Sequence, residues 1–202
     1  MNRIILSGIV ENVPELSHEF MGEKFYRFDL MSERKSGVKD ILPCSASEVF
    51  LDKIKVGNKI EIEGSIRTRN YDTEEYGVEK KKMEIMVFVD SVNKYSGIDR
   101  NEVSIDGFVC KNPIYRKTPL GREITDILLA SNRERHHKSD YIPAITWGRS
   151  ALKASEMEIG TRVDASGRLQ SREYTKITPE GNKVVKVAYE LSLFRVTEMG
   201  YK

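Results

Sequence analysis

Apolar and polar residues alternate with a period of two along most of this chain. From Lys59 to Tyr71, Ile60, Ile62, Gly64 and Ile66 take one face, while Glu61, Glu63, Arg67, Arg69 and Tyr71 take the other. That is the pattern of a half-buried β-strand. Val163, Ala165, Gly167 and Leu169 repeat it against Arg168, Arg172 and Tyr174. Met83, Ile85, Val87 and Val89 predict a further strand, as do Arg3 to Val10, Phe25 to Met31 and Asp40 to Ala46. Helical candidates appear only around Ser47 to Ile54 and, in matching position, Gly148 to Met157.

The match between those two segments is part of a longer internal repeat. At a shift of 99, Asn2 meets Asn101, Gly8 meets Gly107, Pro14 meets Pro113, Gly22 meets Gly121 and Arg34 meets Arg133. At 100, Asp40 to Pro43 lies on Asp140 to Pro143, and at 103, Gly57, Gly64, Arg69 and Tyr71 meet Gly160, Gly167, Arg172 and Tyr174. The drift implies short loop insertions in the second copy. The 202 residues therefore divide into two homologous domains, 1–95 and 101–202, joined by a stretch containing Ser96 and Gly97. Five strands with one short helix between the third and fourth give the order of the OB-fold, a Greek-key barrel. The expected fold class is all-β, two such barrels in tandem. A ferredoxin-like alternative needs two helices per copy, and only one is found.

Composition narrows the functional classes. With 39% hydrophobic and 32% charged residues the chain reads as soluble and globular, and no apolar run approaches the length of a membrane span. Neither a secretory leader nor a cysteine framework is evident, since Cys44 and Cys110 stand far apart. A reducing, cytoplasmic setting is expected. Both cysteines read as small apolar strand residues. Adjacent His136 and His137 point apart on a loop or strand and lack a completing thiol or carboxylate pattern for a metal. The acidic group Asp72, Glu74 and Glu75 comes from one loop, whereas a two-metal nuclease needs carboxylates from several elements. No phosphate-binding glycine loop of the nucleotide-hydrolase type is present. Neither catalysis, a metal nor a cofactor is expected.

Charge is more informative when divided. Residues 1–97 carry 15 Lys+Arg against 17 Asp+Glu, or −2; residues 98–202 carry 18 against 14, or +4. Cations and rings interleave in the second copy: the turn after its first strand holds Tyr115, Arg116 and Lys117, then Arg122 follows, then the loop Arg133, Arg135, His136, His137 and Lys138. Tyr141, Trp147 and Arg149 follow, and later Arg168, Arg172 and Tyr174. Single-stranded nucleic acid calls for this mixture, because cations track phosphates while flat rings stack on unpaired bases. The first copy keeps Arg34, Arg67, Arg69 and Tyr71 but has Ile41 and Ser47 where the second has Tyr141 and Trp147. It is expected to bind more weakly or to serve mainly in assembly.

These segments resemble a known family. Ile105 to Val109, the Pro113 turn, Tyr115 to Gly121 and Leu128 to Ala130 are similar to the opening of bacterial single-stranded DNA-binding proteins. So are Ser139 to Pro143, Trp147 to Ala151, and Gly160 through Gly167-Arg168-Leu169 to Tyr174. The first copy matches mainly at Gly8, Pro14, Gly22, Pro43, Gly57, Gly64 and Arg67 to Tyr71. The resemblance implies an OB-fold protein that binds single-stranded DNA in replication, recombination and repair. It also implies base-stacking rings at Tyr141, Trp147 and Tyr174, with Tyr71 in the first copy. Family members usually carry one barrel and form tetramers; a homodimer of this chain would supply four barrels. The sequence stops at Lys202 soon after its last strand pattern, without the family's acidic tail, and in this it resembles primosomal replication proteins. The alternative function is therefore a primosome-type protein whose barrels dock replication or repair proteins. DNA and RNA are not distinguished by these signals, since stacking and phosphate contacts serve either sugar.

Overall fold

Alternation of apolar and polar residues builds strands throughout. In the computed structural model, which describes residues 1–75, 77–118, 120–133 and 138–200, the first copy forms six. They are β1 (Asn2–Val10), β2 (Glu15–Phe20), β3 (Glu23–Glu33), β4 (Lys39–Ser47), β5 (Lys59–Glu75) and β6 (Val78–Lys94). The second copy repeats them as β7 (Asn101–Val109), β8 (Ile114–Lys117), β9 (Glu123–Asn132), β10 (Ser139–Trp147), β11 (Arg162–Ile177) and β12 (Lys183–Glu198). Arg135, His136, His137 and Pro119 lie outside the described residues.

In each copy five strands close on themselves. β1 pairs with β3 and β5, β3 with β4, β4 in parallel with β6, and β6 with β5. β7, β9, β10, β12 and β11 close the second barrel in the same order. Tandem OB-folds are thus what the strand pairing shows. Leu6, Leu30, Leu42, Ile62 and Ile66 fill one barrel, and Ile105, Leu129, Ile142 and Leu169 the other, all fully buried. Each such side chain contributes about 1.5–3 kcal/mol.

Several details depart from the sequence expectation, among them the acidic group Asp72, Glu74 and Glu75, which lies on β5 rather than in a loop. The sixth strand of each copy, β2 or β8, lies outside the barrel and among the described residues pairs only with β3 or β9. All six residues of β2 are exposed, so no burial pattern announces it. Likewise, Tyr115 to Lys117, expected in a turn, belong to β8. The element between the third and fourth barrel strands is an α-helix, α1 (Arg149–Ser155), in the second copy, where Ala151 and Ala154 are buried. In the first copy it shrinks to a 3-10 turn at Glu48–Phe50, started by the Ser47 hydroxyl, which accepts from the Val49 amide.

Gly64 and Gly167 occupy matching places beside register shifts in β5–β6 and β11–β12. A Cβ on Gly64 would collide with the Phe88 carbonyl, and one on Gly167 with that of Ser192. The backbones approach there because neither position carries a side chain.

The barrels join through β1 and β7, whose antiparallel register sets Ile4 against Val103, its own counterpart in the repeat. Asn2 and Asn101 each clamp the β5 or β11 strand of their own barrel: the Asn2 amide bonds both the N–H and the C=O of Ile66, and Asn101 does so with Leu169. The long hairpins then cross to the opposite barrel. Asp40 on β4 accepts from the amide and hydroxyl of Ser171 on β11, each at 2.8 Å. Asp140 on β10 accepts from the Thr68 amide on β5 at 2.6 Å. At the hairpin tips Glu75 gathers Lys82, Lys176 and Lys186 from both copies. Hydrogen bonds from Lys176, then Lys186 and Lys82, hold its carboxyl well below the usual range.

Candidate nucleic-acid interface

The outward-facing positions of β10, β11 and β12 form the centre of the site. β10 runs unbroken, so Tyr141 and Trp147 both project from its outer face, opposite Ile142, Ala144 and Thr146. Tyr141 is 47% exposed. Trp147 is half-buried, and its indole N–H donates to the Ser192 hydroxyl at 3.0 Å. Through the β10–β12 and β11–β12 registers, Ile145, Ser192 and Arg168 share one row across the sheet. Further along β11, Arg172 lies over the Tyr174 ring at 5.9 Å and pairs with Glu190 at 3.5 Å.

The crossed hairpins make this surface a composite of both copies. The Tyr141 amide donates to the Thr68 hydroxyl at 3.1 Å, so Arg67, Arg69 and Tyr71 on β5 continue from the edge of the second barrel. Conversely, Ser171 sits on Asp40, which brings Arg172 and Tyr174 beside β4 of the first barrel. The sequence expectation kept each set with its own copy; the structure interleaves them. The reason is length: β5 and β11 extend 17 and 16 residues, well past their own barrels.

Not every predicted cation stays available. Arg34 forks onto Asp40 at 2.6 and 2.7 Å and donates to the Ser171 carbonyl at 2.8 Å. Arg133 forks onto Asp140 at 2.7 and 2.8 Å and donates to the Thr68 carbonyl at 3.3 Å. Both carboxylates are fully buried, so these arginines are held at the junction between barrels. Burial pushes the Asp40 carboxyl up, but the bonds from Arg34 and Ser171 outweigh it and leave it below the ordinary value. Arg116 is held by Asp126 at 2.6 Å, on the face of Ile124 and Trp147. Tyr115 and Lys117 point to the opposite face of that hairpin by strand alternation. Arg122 and Arg149 are exposed, in the β8–β9 turn and at the start of α1.

Arg67 and Arg168 stand apart from the other predicted cations. Both are half-buried, and among the described residues neither has a carboxylate within ion-pair distance. Burial, followed by neighbouring Arg133, lowers the Arg67 guanidinium; burial, followed by Arg34, lowers that of Arg168. The Arg168 Nε is buried without a hydrogen-bond partner among the described residues. Arg168 Nη2 donates to the Gln170 amide oxygen at 3.3 Å and Arg67 Nε to the Ser65 hydroxyl at 3.1 Å, but a half-buried guanidinium without a carboxylate is costly, and an anion supplied from outside relieves that cost.

Sequence reading passed over a ring cluster on the first barrel: His18 stacks on Phe25 at 5.0 Å, and Phe25 meets Phe88 at 5.6 Å. Phe88 was legible only as an outward position between buried Val87 and Val89. Among the described residues no group of His, Cys, Asp and Glu is arranged to hold a metal. Cys44 is buried and its thiol is pushed up by that burial; Cys110, just past the end of β7, is partly buried and donates to the Leu128 carbonyl at 3.1 Å. No helix among the described residues is long and apolar enough to cross a membrane.

The sequence model of the single-strand binding protein family matches residues 1–93 and again 100–195. The chain belongs to that family. This member is 25% identical over 215 residues to a single-stranded DNA-binding protein of Deinococcus radiodurans, covering 91% of this chain and 71% of the relative. It is 35% identical over 80 residues to single-stranded DNA-binding protein A of Bacillus subtilis, spanning 46% of that protein's length. The crystal structure of the wild-type single-stranded DNA-binding protein from Thermus aquaticus superposes with a TM-score of 0.77 at 20% identity, over 100% of this chain and 94% of that one. At that identity the superposition speaks for the two-barrel fold of this family member.

Proposed function

We propose that this family member binds single-stranded DNA without catalysis and largely without regard to sequence. The observation that carries the reading is the pair of half-buried arginines without carboxylate partners, Arg67 and Arg168, set among the outward rings of Tyr141, Trp147, Tyr174 and Tyr71. Phosphates supply the missing anions while unstacked bases lie on the rings. Arg69 and Arg172 track the backbone between them, and Arg116, Arg122 and Arg149 extend the positive surface at the β8–β9 hairpin and α1. Arg34 and Arg133 act at one remove, by fixing the two hairpins that carry the rings. Residues 1–95 and 101–202 are the two barrel domains of this reading, and a second copy of the chain completes a four-barrel assembly in replication, recombination and repair.

A docking role for the barrels alone is not favoured: the family model that matches both copies is that of single-strand binding proteins. The test is competition of unlabelled single-stranded DNA, duplex DNA and RNA against a fluorescent oligo-dT followed by anisotropy. Single-stranded DNA is expected to displace the probe at least about tenfold more effectively than duplex, whose stacked bases cannot reach the rings. Equal competition by duplex would leave only general phosphate attraction and overturn the reading.

A further inference from the structure

The two barrels exchange large and small residues at one place on their outer faces. In the second barrel Trp147 on β10 faces Ile124 on β9, and Ser192 lies on the adjoining strand β12. In the first barrel the matching residues are Ser47 on β4, Phe25 on β3 and Phe88 on β6, placed by the same registers. One large ring between smaller neighbours becomes a small serine between two large rings. Ser45 and Ser47 are buried and leave room above β4, so Phe25 and Phe88 meet across it at 5.6 Å. His18 on β2 continues the row, stacked on Phe25 with planes 12° apart.

The cation is exchanged in the same way. Arg168 shares the row of Ser192 on β11, whereas Ser65 shares the row of Phe88 on β5. Two residues on, Arg67 reaches back, donates from Nε to the Ser65 hydroxyl at 3.1 Å, and sets its guanidinium 5.3 Å from the centre of the Phe88 ring. A guanidinium plane beside an aromatic ring is a surface on which nucleobases stack.

We infer that Phe88, with Arg67 over it, is a base-stacking position of the first barrel that replaces the ring missing at Ser47. The inference rests on the single-stranded DNA reading above and extends it to a residue that the internal repeat does not point to. The first barrel then binds DNA in its own right, from β6 rather than β4. Its cations are more restrained than those of the second barrel, since Glu84 pairs with Arg27 and lies 3.9 Å from Arg69.

The test uses the full chain and an oligo-dT long enough to cover both barrels, with 5-iododeoxyuridine at scattered positions. Irradiation is expected to crosslink Phe88 as well as a second-barrel ring, read by mass spectrometry of the peptides. Phe88→Leu keeps most of the apolar volume against Phe25; it is expected to lose the crosslink and about five- to tenfold in affinity, while Trp147 fluorescence is still quenched to the wild-type extent. Crosslinks confined to the second barrel, with Phe88→Leu binding as tightly as wild type, overturn the inference. So does a loss of thermal stability in Phe88→Leu with unchanged DNA affinity, which assigns the ring to packing alone. Absence of both quenching and crosslinking in the wild type is a different failure, that of the single-stranded DNA reading itself.

Discussion

A Tyr141→Ala, Trp147→Ala double variant is expected to bind oligo-dT at least about thirtyfold more weakly than the wild type. The magnitude follows from stacking, which contributes about 1–3 kcal/mol per base by alanine substitution, so two rings contribute about 2 kcal/mol or more. The two positions differ in what else they do. Tyr141 is 47% exposed, so its removal leaves the barrel packing intact. Trp147 is half-buried and its indole N–H is held by Ser192, so its removal also leaves space on the barrel wall. Measuring each single variant by anisotropy alongside a urea melt separates the two effects: Tyr141→Ala loses affinity at unchanged stability, and Trp147→Ala loses some of both. Affinity within twofold of wild type in the double variant contradicts stacking on this face.

Asp40→Asn is expected to destabilise the chain by about 3–5 kcal/mol. Breaking a buried ion pair costs that much because the surviving charge is left uncompensated. Here the survivor is Arg34, whose guanidinium otherwise forks onto a carboxylate with no exposed surface. The same carboxylate holds Ser171, and so fixes the β11 hairpin beside β4. The pH dependence follows from the direction of the shift. The folded carboxyl lies below its ordinary value, so its stabilisation is complete above the unfolded value of about 4 and is lost as pH falls through the folded one. Urea midpoints at pH 7 and pH 3 therefore differ by more in the wild type than in Asp40→Asn. Equal midpoints for the two proteins at pH 7 contradict a stabilising junction.

Much of the architecture was legible in the sequence because burial on one face imposes a period of two. Ile60, Ile62 and Ile66 read as inward, and the ordered glycines and prolines revealed the repeat. Tyr141 and Trp147 lie six residues apart, so an unbroken strand puts both on one face, and β10 is unbroken. What escaped detection depends on neighbours distant in sequence. Arg34 and Arg133 look like free cations until Asp40 and Asp140 are seen buried against Ser171 and Thr68 of the opposite copy. Strand β2 shows no periodicity because every residue in it is exposed. Phe88 is outward by alternation, but that Ser45 and Ser47 leave room for it follows only from the pairing of β4 with β3 and β6.

On this reading phosphates seat on the outward arginines of both barrels while bases stack on the rings beside them. Titrating the full chain with oligo-dT at several salt concentrations tests it most directly, because Trp147 is the single tryptophan and reports from inside the site. Quenching is expected to saturate, and the logarithm of affinity to fall with the logarithm of salt at a slope of about −3, as four phosphates neutralised on Arg67, Arg69, Arg168 and Arg172 require. Unquenched fluorescence, or an affinity that does not change with salt, would contradict it.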